Sequence, residues 1–133
     1  MKLILDCNIW ISFLIGHQAP FVQKILTDRR FDVYVCDQLL DEIYDVANRD
    51  KIRKYVSKED FQDFFHIIHA FCLKATIDIE AHSAIRDPKD LYLLSFAESI
   101  HADYIVSGDA DLIVLENHKQ TKIIRLTDFK RML

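Results

Sequence analysis

The chain has few of the residues that loosen a fold. Its 133 residues include only two glycines and two prolines, which argues against long flexible linkers. No internal repeat and no low-complexity run is present. The three cysteines, Cys7, Cys36 and Cys72, are odd in number and lack Cys-x-x-Cys spacing. A disulfide framework and a cysteine metal site are therefore disfavoured, and a reduced, cytoplasmic protein is expected. No apolar stretch approaches the ~18 residues needed to cross a membrane. The segment Met1-Lys2-Leu3-Ile4-Leu5 reaches Asp6 too early for the apolar region of a signal peptide. Positive charge is also short: the formal net charge is −4, which argues against generic coating of nucleic acid. It does not exclude catalysis on phosphates, because acidic metal ligands lower the charge of the protein that carries them.

Half of the residues are hydrophobic. At this length the expectation is one domain, 1–133, with a proper core. Strand-like runs at 2–5, 33–36, 104–106 and 122–126 alternate with helical patterns. Helices are expected over 9–14 and 21–26, from Asp37 to about Asn48, from a Ser57 cap to about Phe71, and from Asp87-Pro88 to about His101. A short helix is expected over 111–115, and Thr127 is the expected cap of a last one. The stretch 73–79 reads as strand or loop. Alternation of this kind predicts an α/β fold with a parallel sheet and helices on both faces, whose ligands bind at the carboxyl ends of the strands.

Four stretches each deliver a carboxylate next to apolar surface: Leu3-Ile4-Leu5-Asp6, Leu39-Leu40-Asp41-Glu42, Asp87-Pro88-Lys89-Asp90 and Ile105-Val106-Ser107-Gly108-Asp109. An acid in such a place must be protonated, paired or bound to a cation. Asp6 and Asp109 follow strands at the same end of the sheet, with Gly108 expected to allow a close backbone approach. At about 100° per residue, Asp41 and Asp45 point away from the apolar stripe of their helix, while Glu42 lies at its edge. Asp90 lies on one face with Leu93, Leu94 and Ala97 of a helix that is apolar nearly all round, and His101 is expected further along that side. Each acid also has an ordinary reading. Asp87 suits the N-cap, Asp90 suits the positive end of the helix dipole, and Asp6, Asp109 and Asp111 suit caps or turns. Taken together, four acids from separate segments with few bases near them point to a divalent cation and phosphate-ester chemistry.

The ordered set Asp6-Cys7-Asn8-Ile9-Trp10, Leu40-x-Glu42, Asp87-Pro88-Lys89-Asp90 and Ala102-Asp103-Tyr104-Ile105-Val106-Ser107-Gly108-Asp109-Ala110-Asp111-Leu112 resembles a PIN domain. It most resembles the bacterial toxins of toxin–antitoxin pairs, the VapC-type ribonucleases. The resemblance extends to the closing Ile123-Ile124-Arg125-Leu126-Thr127-Asp128-Phe129. It implies a three-layer α/β/α sandwich with a central, mainly parallel sheet, and a ribonuclease dependent on Mg²⁺ or Mn²⁺. Asp6, Glu42, Asp90 and Asp109 would match the catalytic, metal-binding acids, with Asp111 an optional fifth. Asn8 and Ser107 would match supporting polar positions. Cys7 departs from the usual Thr or Ser, which removes a hydroxyl beside the site. A homodimer and an antitoxin partner are implied as well. Arg49, Lys51, Arg53 and Lys54 are candidate contacts for RNA phosphates. The phenylalanines at 61, 64, 65 and 71 read as core or dimer surface rather than as platforms for bases.

Three other readings compete. A haloacid-dehalogenase-type phosphatase needs a second aspartate where Asn8 stands, and its lysine is not evident. A receiver-like domain phosphorylated on aspartate needs an acidic pair after the first strand and a lysine after the last. A PIN-like domain that binds without cutting leaves the intact acids unused.

Overall fold

In the computed structural model, residues 1–16, 19–83, 85 and 87–132 are described. The elements in chain order are β1 (Lys2–Leu5), α1 (Cys7–Leu14), α2 (Ala19–Thr27), β2 (Asp32–Val35), α3 (Asp37–Ala47), α4 (Asp50–Arg53), α5 (Lys58–Phe71), β3 (Leu73–Lys74), α6 (Pro88–Ile100), β4 (Tyr104–Val106), α7 (Ala110–Ile113), β5 (Asn117–His118), β6 (Thr121–Ile124) and α8 (Leu126–Lys130). The strands form a sheet of order β3-β2-β1-β4-β6-β5. Every pairing is parallel except that of β5 with β6.

The central strands are apolar on both sides because both sides are covered. Leu3, Ile4 and Leu5 are wholly buried, as are Ile105 and Val106. Successive side chains of a strand face opposite ways, so unbroken burial means that helices flank both faces. Strands β1 and β4 are neighbours, in a register that sets Leu5 against Val106. The residues that follow, Asp6 and Ser107, therefore emerge side by side at one edge of the sheet.

Local chemistry sets the helix starts. The Ser57 hydroxyl accepts from the Asp60 N–H at 3.0 Å, the capping-box arrangement anticipated for α5. Asp87 caps α6 by accepting from the Lys89 N–H at 3.0 Å, with Pro88 in the first turn. Helix α3 starts at Asp37 as expected, but Cys36 rather than Asp37 holds its N-cap position, and Asp37 pairs with Lys74 at 2.7 Å. Thr127 is likewise not a cap, since α8 begins after Arg125. The α5 phenylalanines divide. Phe64 is buried against Trp10 and Phe13, Phe61 and Phe65 are half-buried beside Tyr44, and Phe71 is exposed. Trp10 is fully buried, and its indole N–H finds no partner among the described residues. No helix among the described residues is long and apolar enough to cross a membrane.

Candidate functional site

The site grows from the carboxyl ends of β1 and β4. Asp6 is 6% exposed. Its backbone N–H donates to the Val106 carbonyl at 2.9 Å, which fixes it to the neighbouring strand. One oxygen of its carboxylate accepts from the Cys7 N–H at 2.7 Å; the other accepts from the Ser107 hydroxyl at 2.6 Å. Ser107 is fully buried, and its oxygen in turn accepts from the Asp109 N–H at 3.0 Å. A single hydroxyl thus couples the acid after β1 to the backbone of the acid after β4. Asp109 caps α7, accepting from the Asp111 N–H at 2.9 Å.

Asp90 enters from the first turn of α6 and is 8% exposed. Each of Asp90, Asp109 and Asp111 offers an oxygen within 4.8 Å of the other two. Of these acids Asp90 is buried, Asp109 half-buried and Asp111 exposed. No cation from Lys, Arg or His forms an ion pair with them among the described residues. The electrostatic result is visible at Asp90, whose carboxyl is pushed up to about 7, first by burial and then by the charges of Asp109, Asp87 and Asp6. Burial also raises Asp6. The Ser107 and Cys7 hydrogen bonds oppose that rise, and the charge of Asp109 adds to it.

Glu42 stands at the other end of the cluster. Burial raises its carboxyl, and the charge of Asp6 raises it further. The Tyr92 hydroxyl donates to its Oε1 at 3.3 Å, and the buried Cys7 lies near enough for the Glu42 charge to act on its thiol. The thiol proton is held tightly, by burial and by the charges of Glu42 and Asp6.

The anticipated acids accordingly occupy one continuous cluster. Asp90, Asp109 and Asp111 form its tightest part, Asp6 stands behind them through Ser107, and Glu42 lies at the edge. Other anticipated residues stand apart. Asn8 is exposed in the first turn of α1, and its side chain makes no hydrogen bond with the described residues. His101 does not share the side of Asp90: it ends α6 in the left-handed conformation (φ 55°) and lines a different cavity. Gly108 has no close neighbour either, for a Cβ there would meet nothing within 4 Å. Lys51 and Lys54 are exposed around α4. Arg53 instead lays its guanidinium over the Phe61 ring, 4.2 Å from the centroid. Tyr92 and Lys89 were not singled out as site residues. Both were within reach of the reasoning, since Lys89 precedes Asp90 and Tyr92 follows it by two.

Residues 2–111 match the PIN domain family. The chain belongs to that family. Its fold is also similar to a chain in the crystal structure of VapBC2 from Rickettsia felis bound to a DNA fragment from their promoter. The TM-score is 0.62 at 15% identity, covering 92% of this chain and 97% of that one. At that identity the likeness shows the fold alone. No curated protein sequence matches the chain. Within this PIN domain, the acids gather where a parallel α/β sheet places its ligands.

The donor set of the PIN domain is all oxygen and all acidic. Hard divalent ions such as Mg²⁺ and Mn²⁺ take such ligands, whereas thiolate or imidazole would suit softer ones. The three convergent carboxylates without a counter-cation fit a divalent ion on both charge and donor type.

Proposed function

We propose that this protein is a metal-dependent endoribonuclease, the toxin of a type II toxin–antitoxin pair, acting in the cytoplasm as a homodimer restrained by an antitoxin protein. The observation that carries the reading is the approach of Asp90, Asp109 and Asp111 to within 4.8 Å with no cation paired to them. Membership of the PIN family supports a nuclease, and the structural likeness to a toxin–antitoxin complex supports the biological role.

Asp90, Asp109 and Asp111 would hold Mg²⁺ or Mn²⁺, with Asp6 and Glu42 completing the negative field. A divalent ion held there supplies a bound water of lowered pKa and neutralises charge on a phosphodiester. The remaining work falls to the chain. Asp6 is oriented by two hydrogen bonds, so its carboxylate needs no rearrangement when substrate arrives. Ser107 holds Asp6 and Asp109 at a fixed separation. Tyr92 holds Glu42 through its hydroxyl. Among the described residues no activated serine, cysteine or lysine stands at the cluster, and the Cys7 thiol keeps its proton. Attack by water rather than by a protein nucleophile is the route these residues support.

The test is cleavage of total RNA, tRNA, ribosomal RNA and single-stranded DNA with Mg²⁺ or Mn²⁺. Wild type runs beside Asp109→Asn purified in parallel. The expected result is RNA cut by wild type alone and protected by EDTA. Equal cutting by both proteins would overturn the assignment of the site.

A further inference from the structure

A groove of about 420 Å³ leads away from Glu42 along the seam between the C-terminal half of α3 and the start of α6. This volume lies within the ~300–1,000 Å³ range of small-ligand sites. Val46, Pro88 and Tyr92 give it an apolar and aromatic lining, and Arg49 and Lys89 line it as well. Neither cation forms an ion pair with a described residue. Both nonetheless act inward: the charge of Arg49 reaches the Cys7 thiol, and that of Lys89 reaches the Glu42 carboxylate.

A strand whose scissile phosphate lies at the acidic cluster carries further phosphates close by. Those meet the repulsion of several carboxylates unless cations stand between. Arg49 and Lys89 stand at that border, on either side of the groove that Glu42 opens. Asp41 and Asp45, exposed on the outer side of α3, also border it. The aromatic wall from Tyr92 suits the open face of an unpaired nucleotide rather than one stacked in a duplex. Lys51 and Lys54 do not line the groove, and Arg53 is engaged with Phe61.

We propose that this groove is the subsite for the nucleotide next to the scissile phosphate of a single-stranded RNA. Arg49 and Lys89 hold the phosphate, and the wall of Pro88 and Tyr92 lies against the sugar or base. The inference rests on the ribonuclease reading and adds to it the direction in which the strand leaves the acids.

The test is binding of a fluorescent single-stranded RNA of mixed sequence, followed by anisotropy in EDTA across a salt series. Wild type is compared with Arg49→Ala/Lys89→Ala and with Lys51→Ala/Lys54→Ala, all confirmed as folded by thermal melting. Each phosphate contact on a single strand contributes about 0.7 to the slope of log K against log salt. The groove pair should therefore bind at least about tenfold more weakly at low salt, with a slope shallower by about 0.7 for the one phosphate it holds, while the α4 pair keeps the wild-type slope. A wild-type slope in the groove pair overturns the proposal. So does a slope lost from the α4 pair instead, or a groove whose cations hold a partner protein and leave RNA binding unchanged. Metal-dependent cleavage by wild type with an unaltered groove pair would sink the groove and leave the nuclease standing. Wild type that neither cuts nor binds RNA would sink both.

Discussion

One helix, α6, carries two acids two turns apart, and their surroundings are opposite. Asp90 in its first turn faces Asp109, Asp111 and Asp6, and its carboxyl is pushed up to about 7. Glu98 near its end is gripped by Lys119 at 2.7 Å and His118 at 3.1 Å, and its carboxyl is held below the ordinary range. The second cluster neutralises itself and fastens the β5–β6 hairpin to the helix. The first gathers like charges, which the fold alone does not reward. An acid whose neighbours are acids is waiting for something from outside, whereas an acid with cations at hand is part of the scaffold.

Removing Ser107 should have the largest effect on that contrast, because it unhooks the unneutralised end alone. Loss of a group that orients a metal ligand typically costs ~10–100-fold. Ser107→Ala is expected to lose that much in cleavage rate and in Mn²⁺ affinity, read by titration, while Ser107→Thr retains most of both. An unaffected Ser107→Ala would mean that Asp6 is placed by the strand alone.

Asp90→Asn should cancel the repulsion. A carboxyl raised from 3.8 to about 7 on folding binds its proton more tightly in the folded state than in the unfolded one. Stability without metal therefore falls as pH rises between those values, and the penalty is complete above about 7. In EDTA at pH 8 the variant should melt roughly 3–8 °C higher than wild type, for a relief of ~1–2 kcal/mol. The difference should shrink towards pH 5 and reverse with saturating Mg²⁺. A variant that melts lower in EDTA at pH 8 would remove the case for a shared pocket.

Glu98→Gln should behave in the opposite way and more weakly. A carboxyl lowered on folding contributes stability above its ordinary pKa near 4.5, and that contribution is lost on acidification. The variant should lose about 1 kcal/mol at pH 7, read by urea unfolding, and progressively less as pH falls below about 4.5. Its cleavage rate should match wild type. A defect in cleavage would mean that the two ends of α6 are coupled.

Much of the acidic end was readable from sequence because its signals are local. Apolar runs end in Asp6 and Asp109, Pro88 follows a capping Asp87, and helical geometry separates Glu42 from Asp41 and Asp45. The neutral end was not readable. The hairpin is entered at Glu116 and turns at Lys119, both at positive φ, where Gly or Asn would have announced it. The grip on Glu98 joins residues twenty positions apart. Bonds of that kind belong to tertiary structure and leave no periodic trace, and the same holds for the Tyr92 hydroxyl on Glu42, fifty positions away.

The bond from the Asp6 N–H to Val106, and its counterpart from the Ser107 N–H to Ile124 across the next strand pair, lie inside the central sheet. Their amide protons can exchange with solvent only when β1, β4 and β6 separate, an opening comparable to unfolding of the whole. Asp6 and Ser107 are therefore as persistent as the sheet itself, and the hydroxyl that joins the two acidic segments is held at its most stable edge. On the proposed reading, silencing such a centre falls to a molecule that covers it, and its release to the removal of that cover.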